Sequence, residues 1–172
     1  MIDDFWDEEA GGFFFTARDH EDLLIRKKDF FDNATPSGNS VAADVLLKLA
    51  VLTGDGRYER FAVTVLKLVA PQASRYPSGF GRALAALEFH LGPVKEIVVL
   101  GPRGGELEKE VWREYRPDKI VVLAETTANA DEIPLLRDRT MIGGRPTAYV
   151  CENFACRRPV TSVEELREQL GN

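Results

Sequence analysis

Between residues 29 and 40 the chain reads DFFDNATPSGNS, and five short polar side chains crowd into it: Asp32, Asn33, Thr35, Ser37 and Asn39. Carboxylate, amide and hydroxyl groups on short stems present mixed donors and acceptors at close quarters, the equipment with which a pocket reads hydroxyl groups. The same residues have a structural reading, with Asn and Ser as helix caps, Pro36 as a stiffener and Gly38 for a special backbone angle. Asp29 and Asp32, three positions apart, can line one loop as an acid/base pair. Phe13, Phe14, Phe15, Phe30 and Phe31 lie nearby in sequence and can stack on the apolar face of a sugar ring, or simply pack a core. His20, in ARDHED, has acidic neighbours and can move a proton; an ordinary solvated turn would carry the same residues. His90, between Phe89 and Leu91, reads as a packed or helix-terminal histidine.

The polar run leads into a helix expected over about residues 40–53, in which only Asp44 and Lys48 are charged, four apart and able to pair. TGDGRY breaks it, and a second apolar helix is expected over about residues 57–70, ended by APQASRYPSG. A third follows, with Phe80, Leu84, Leu87 and Leu91 at helical spacing. A helix that is apolar all round is buried all round. Three of them in a chain this short point to a larger helical assembly, of which this chain holds a part. Ahead of them, GGFFFT and DLLIRKKDFF read as two short extended segments joined by a turn.

From about residue 94 the pattern changes. KEIVVLG and DKIVVLAE are short apolar strands flanking a helix at about 106–115, which makes a parallel βαβ unit. RPTAYVC is a third strand, and a last helix spans residues 163–170 with Ser162 and Glu165 at capping-box spacing. The expected class is therefore α+β, with residues 1–92 forming a helical segment behind an extended lead and residues 93–172 a small α/β segment. GPRGGE, after the first strand, sits where phosphate loops occur but lacks both the dinucleotide and the P-loop signatures; a tight strand-to-helix turn explains it, with Arg103 as the basis of an anion site in the other reading.

The 172 residues carry a formal net charge of -6, which argues against a partner held by nucleic-acid phosphates. There is no polybasic run for a membrane surface, and no apolar run approaches the ~20 residues of a membrane span. MIDDFWDEEAGG lacks the basic and apolar regions of a signal peptide, so the cytoplasm is the expected location. Cys151 and Cys156 lie in CENFAC, a spacing that is neither C-x-x-C nor half of a complete zinc site. Two free thiols are the expectation, ahead of metal binding or a regulatory disulfide. No cofactor and no metal site are expected.

FWDEEAGGFFFT, LLIRKKDFFDNATPSGNSVAA, LTGDGRY and TAYVCENFACRRPVTSVEEL resemble, in order, the C-terminal portion of the large thioredoxin-domain-containing proteins that include the spermatogenesis-associated members. The resemblance implies part of an (α/α)6 toroid, similar to N-acylglucosamine 2-epimerases and other six-hairpin sugar-active enzymes. It would place residues 32–40 at the mouth of the central cleft, before an inner helix. No thioredoxin-like segment and no C-x-x-C are present, so a redox activity of the family does not carry over, and only part of the ring fits in this length.

The function this implies is a wall of a sugar epimerase- or isomerase-like cleft, inactive alone. His20 or Asp32 would act as acid/base, Asn33, Thr35, Ser37 and Asn39 would read hydroxyl groups, and Arg26 would steady a developing oxyanion. The alternative is a non-catalytic interaction module, completed by a second copy or a partner chain over its apolar helices. A nucleotide or redox module on residues 94–172 rests on the βαβ unit alone.

Overall fold

In the computed structural model, which describes residues 1–20, 25–153 and 155–171, the polar run at residues 32–40 opens directly into a sixteen-residue helix. Ser37 caps it: the hydroxyl accepts the Ser40 N–H (3.1 Å) and donates to Ser40 Oγ (2.8 Å). The helices are α1 (Ile2–Phe5), α2 (Gly38–Thr53), α3 (Gly56–Ala73), α4 (Gly81–Leu91), α5 (Glu106–Arg113) and α6 (Val163–Leu170); the strands are β1 (Lys95–Leu100), β2 (Lys119–Ala124), β3 (Thr147–Glu152) and β4 (Ala155–Cys156). The architecture is mixed α+β, and the chain divides into two compact units, residues 1–50 with 55–91 and residues 51–54 with 92–172.

In the first unit, α3 starts at Asp55, whose carboxylate accepts the Arg57 N–H at 2.9 Å. The sequence ends α3 near residue 70, yet it runs on through Pro71 to Ala73. Proline removes one ladder bond, and the added turn is held by the Ser74 N–H on the Ala70 carbonyl (3.0 Å) and by burial of Ala73. Asp44 of α2 takes Lys48 at 2.9 Å and pairs with Arg82 of α4. The three helices bury Ala43, Leu46, Ala62, Val65, Phe80 and Ala86, but Val41 and Val45 on α2 are 38% and 41% exposed, so α2 is not covered on every side.

The segment ahead of α2 does not form the expected strands over residues 11–16 and 25–31; residues 22–24 of the second stretch lie outside the described residues. It is held by one bridge between Trp6 and Phe13 and by the Phe15 N–H on the Lys27 carbonyl (2.8 Å). Gly11 and Gly12 take φ of +72° and +80°, and a Cβ on them would meet Thr64 at 2.8 Å and Phe30 at 2.9 Å, so the chain here follows a path that strand residues cannot adopt. Trp6 packs edge-on against Phe13 (5.0 Å) and Phe61 (4.7 Å).

The second unit is a four-stranded sheet in the order β2-β1-β3-β4. β1 and β2 pair in parallel through the α5 crossover, as the apolar runs require, and β3 joins β1 antiparallel with Ile97 opposite Val150 and Val99 opposite Ala148. Alternation puts Ile97, Val99, Ala148 and Val150 on one face, where Leu107 and Val111 of α5 and Leu166 and Leu170 of α6 close the core. Glu110 of α5 ties the two helices, accepting from Arg167 on both oxygens (3.0 Å each) and from Arg113 (3.0 Å). Ser162 caps α6 through the Glu165 N–H at 3.3 Å, and Gly171 ends it at φ +86°. The two-residue strand β4 was not legible in advance. It sets Cys156 opposite Cys151, and the two are joined in a disulfide, where free thiols were the expectation.

Among the described residues, no helix is long and apolar enough to cross a membrane, and no group of three or more His, Cys, Asp or Glu stands ready for a metal ion.

Candidate functional site

A pocket of about 250 Å³ opens beside the N-terminus of α2 in the first unit, lined by Phe5, Phe13, Phe14, Phe15, Asp29 and Asn39, with Met1, Gly38 and Ala42 completing it. Its wall is mostly apolar and aromatic. Three consecutive phenylalanines reach it because the chain around Gly11 and Gly12 turns the segment across the mouth of α2 rather than letting it alternate as a strand.

Asn39 makes that arrangement. Its Oδ1 accepts the Phe13 N–H (2.7 Å), and its Nδ2 donates to the carbonyls of Phe13 (2.9 Å) and Asp29 (2.8 Å). The side chain is 2% exposed and behaves as a short piece of sheet, giving an irregular backbone the partners it would otherwise lack. Asp32 plays a similar part toward α4. Its Oδ2 accepts the first-turn amides of Arg82 (2.8 Å) and Ala83 (3.1 Å), and its Oδ1 accepts the Ser37 N–H (2.9 Å). A carboxylate there also meets the positive end of the α4 dipole.

The residues singled out in the sequence are therefore distributed. Asn39 lines the pocket; Asp32, Asn33, Thr35, Ser37, Arg26 and His20 are not among its lining residues. Asn33 and Thr35 are exposed, linked by the Asn33 N–H on the Thr35 carbonyl (3.1 Å). His20 is exposed in a turn closed on Ala17. Arg26 donates to the carbonyls of Thr16 (2.6 Å) and Asp4 (3.3 Å), and its guanidinium lies 4.1 Å from the centre of the Phe14 ring. The Arg26 Nε is buried with no hydrogen-bond partner among the described residues. Asp29 and Asp32 part company: Asp29 stays on the pocket rim, accepting the Phe31 N–H at 3.0 Å, while Asp32 turns to α4. Phe5 was missed, because a four-residue helix leaves no periodic signal.

Near the pocket, Lys28 pairs with Asp7 and donates to the Gly11 carbonyl (2.6 Å). Lys28, with the N–H groups of Glu9 and Ala10, lowers the Asp7 carboxyl to about 2. In the second unit the GPRGGE turn carries its own anion: Glu108 Oε2 accepts the Gly104 N–H at 2.7 Å, and Glu106 shares the first turn of α5. Two carboxylates there oppose a phosphate.

Comparison with known proteins bears on the whole chain. Over 174 aligned residues, 96% of this chain, it is 33% identical to spermatogenesis-associated protein 20 of Homo sapiens, and it matches the Rattus norvegicus protein of the same name equally well. The chain is related to spermatogenesis-associated protein 20. An uncharacterized protein of Caenorhabditis elegans is 23% identical over 95% of the chain. The chain spans only 22% of the length of the mammalian relatives. No family model matches it.

Proposed function

We propose that this chain is one part of a larger helical protein of the sugar-active toroid type, and that its helical unit supplies an aromatic wall for a small sugar. The supporting observation is the pocket at the mouth of α2, lined by Phe5, Phe13, Phe14 and Phe15 together with Asp29. Phenylalanine rings cover the apolar face of a sugar, and a carboxylate accepts from its hydroxyl groups. At about 250 Å³ the pocket falls just below the ~300–1,000 Å³ of drug-sized sites, which suits a single ring. Epimerase- or isomerase-type chemistry needs a base and a proton donor on the two faces of the reacting carbon. Asp29 is one acid/base group at this rim, and the second would come from outside this chain.

Titration of the labelled chain with glucose and N-acetylglucosamine tests this reading. Amide shifts confined to residues 13–15, 29, 38, 39 and 42 are expected, lost in Phe14→Ala and weakened in Asp29→Asn. Absence of shifts at roughly 50 mM sugar, well above millimolar affinity, rejects it.

A second reading, an interaction module, is favoured by two observations. Asp32, Ser37 and Asn39 spend their polar groups inside the fold. Apolar surface remains open, at Val41 and Val45 on α2 and in a groove of about 230 Å³ between α3 and α4 lined by Leu66, Val69, Leu84 and Leu87. A dimer or larger species in solution, with no sugar response, selects this reading.

A further inference from the structure

We propose that Cys151 and Cys156 form a thiol–disulfide exchange site in which Arg139 holds the thiolates. This rests on the second unit alone and is independent of the sugar reading.

The two sulfurs differ in access. Cys151, on β3, is 1% exposed, whereas Cys156, on the edge strand β4, is exposed. An outside thiol therefore meets Cys156 first. The Arg139 guanidinium lies against both sulfurs, with one nitrogen 2.8 Å from Cys156 Sγ and 3.5 Å from Cys151 Sγ. It is placed there by its surroundings. Its Nε donates to the Leu135 carbonyl (3.4 Å), and the guanidinium stacks 4.8 Å from the centre of the Tyr149 ring. Tyr149 is itself locked, its hydroxyl accepting the Thr140 N–H (3.0 Å) and donating to the Thr140 carbonyl (2.7 Å). Glu152, next to Cys151 in the chain, is paired with Lys95 at 3.0 Å and with Arg157, next to Cys156, at 3.9 Å. A disulfide sulfur is a weak acceptor, so a pre-set guanidinium gains little from it; a thiolate is the partner that such a cation fits.

The reaction is two exchanges with a low-molecular-weight thiol such as glutathione. A first thiolate attacks Cys156 Sγ, the Cys151–Cys156 bond breaks, and Cys151 leaves as a thiolate beside Arg139. A second thiolate attacks the outer sulfur of the mixed disulfide and releases Cys156 as a thiolate. Two thiols are oxidised to one disulfide, the protein pair takes both electrons, and the two protons pass to solvent or to the cysteines. A cation that stabilises the leaving thiolates makes each step faster and the disulfide easier to reduce.

The full chain is equilibrated in glutathione buffers of graded ratio, and its thiols are counted by mass after alkylation. The disulfide is expected to open within the range that glutathione spans. In the reduced chain, Cys151→Ser isolates Cys156, which is expected to react with iodoacetamide near pH ~6.5 about tenfold faster than an ordinary thiol of pKa ~8.5. Adding Arg139→Gln should remove that advantage, and Arg139→Lys should restore most of it, with circular dichroism checking the fold of each variant. A disulfide that no glutathione buffer opens overturns the proposal. So does a Cys156 rate that Arg139→Gln leaves unchanged.

Discussion

The two units solve the same problem, pairing their backbone groups, by different means. In the α/β unit the sheet ladders do it: β1 is flanked by β2 and β3 along its whole length, and alternation puts its Ile97 and Val99 on the α5–α6 side. In the helical unit the described residues of the lead segment form no ladder beyond one bridge, and single side chains act as pins. Asn39 supplies three bonds to residues 13 and 29, and Asp32 supplies three to residues 37, 82 and 83. Regular structure spreads its bonds over many residues, so that side chains are chosen for packing. Irregular structure concentrates them, so that polar side chains become structural and leave the surface chemistry to their neighbours.

That contrast can be broken in order of effect. In the α/β unit the sensitive positions are apolar. Leu166, fully buried between α6 and the sheet, should lose about 3 kcal/mol on Leu166→Ala, read as reduced hydrogen-exchange protection of the β1 and β3 amides. In the helical unit the sensitive position is polar. Asn39→Ala strands the Phe13 N–H and two carbonyls, and should cost about 2 kcal/mol, seen as faster exchange at Phe13 and in the first turns of α2. Trp6, packed on Phe13, gives the same change optically once Trp112→Phe removes the other tryptophan. A cost below about 0.5 kcal/mol would place Asn39 among ordinary surface residues and end the comparison.

The smallest effect is in acid. Asp7 in the helical unit is held at about 2 by Lys28, and Glu110 in the α/β unit is held below the usual range by Arg167, with Arg113 adding to it and burial opposing. Both carboxyls are lowered on folding. Each therefore contributes stability above its unfolded value near ~4, and that contribution disappears as pH falls through the folded value. Denaturant midpoints for the native chain should drop between about pH 5 and pH 2. Asp7→Asn should flatten the part read at Trp6, and Glu110→Gln the part read by exchange in α5 and α6.

Most of the regular fold was legible. The helix over residues 163–170 matches the sequence reading at both ends, because its start is the Ser162 cap on the Glu165 N–H and its stop a glycine, both short-range signals. The first strand and the α5 crossover were legible for the same reason. The pocket was legible only in outline. Phe13, Phe14, Phe15 and Asp29 were named, but the polar run chosen as the reader of hydroxyl groups is largely occupied with capping α2 and α4.

What the sequence determined by itself was local: the period of the apolar residues, the caps, and the change from helical to strand pattern near residue 94. These depend on interactions within about four residues, which a one-dimensional string contains in full. Only the tertiary structure decided where the polar groups are spent. Asp32 finds its partners 50 and 51 residues away, Asn39 reaches 26 residues back, and Arg139 meets sulfurs 12 and 17 residues on. Such pairings are set by how the elements come together, and no spacing rule records them.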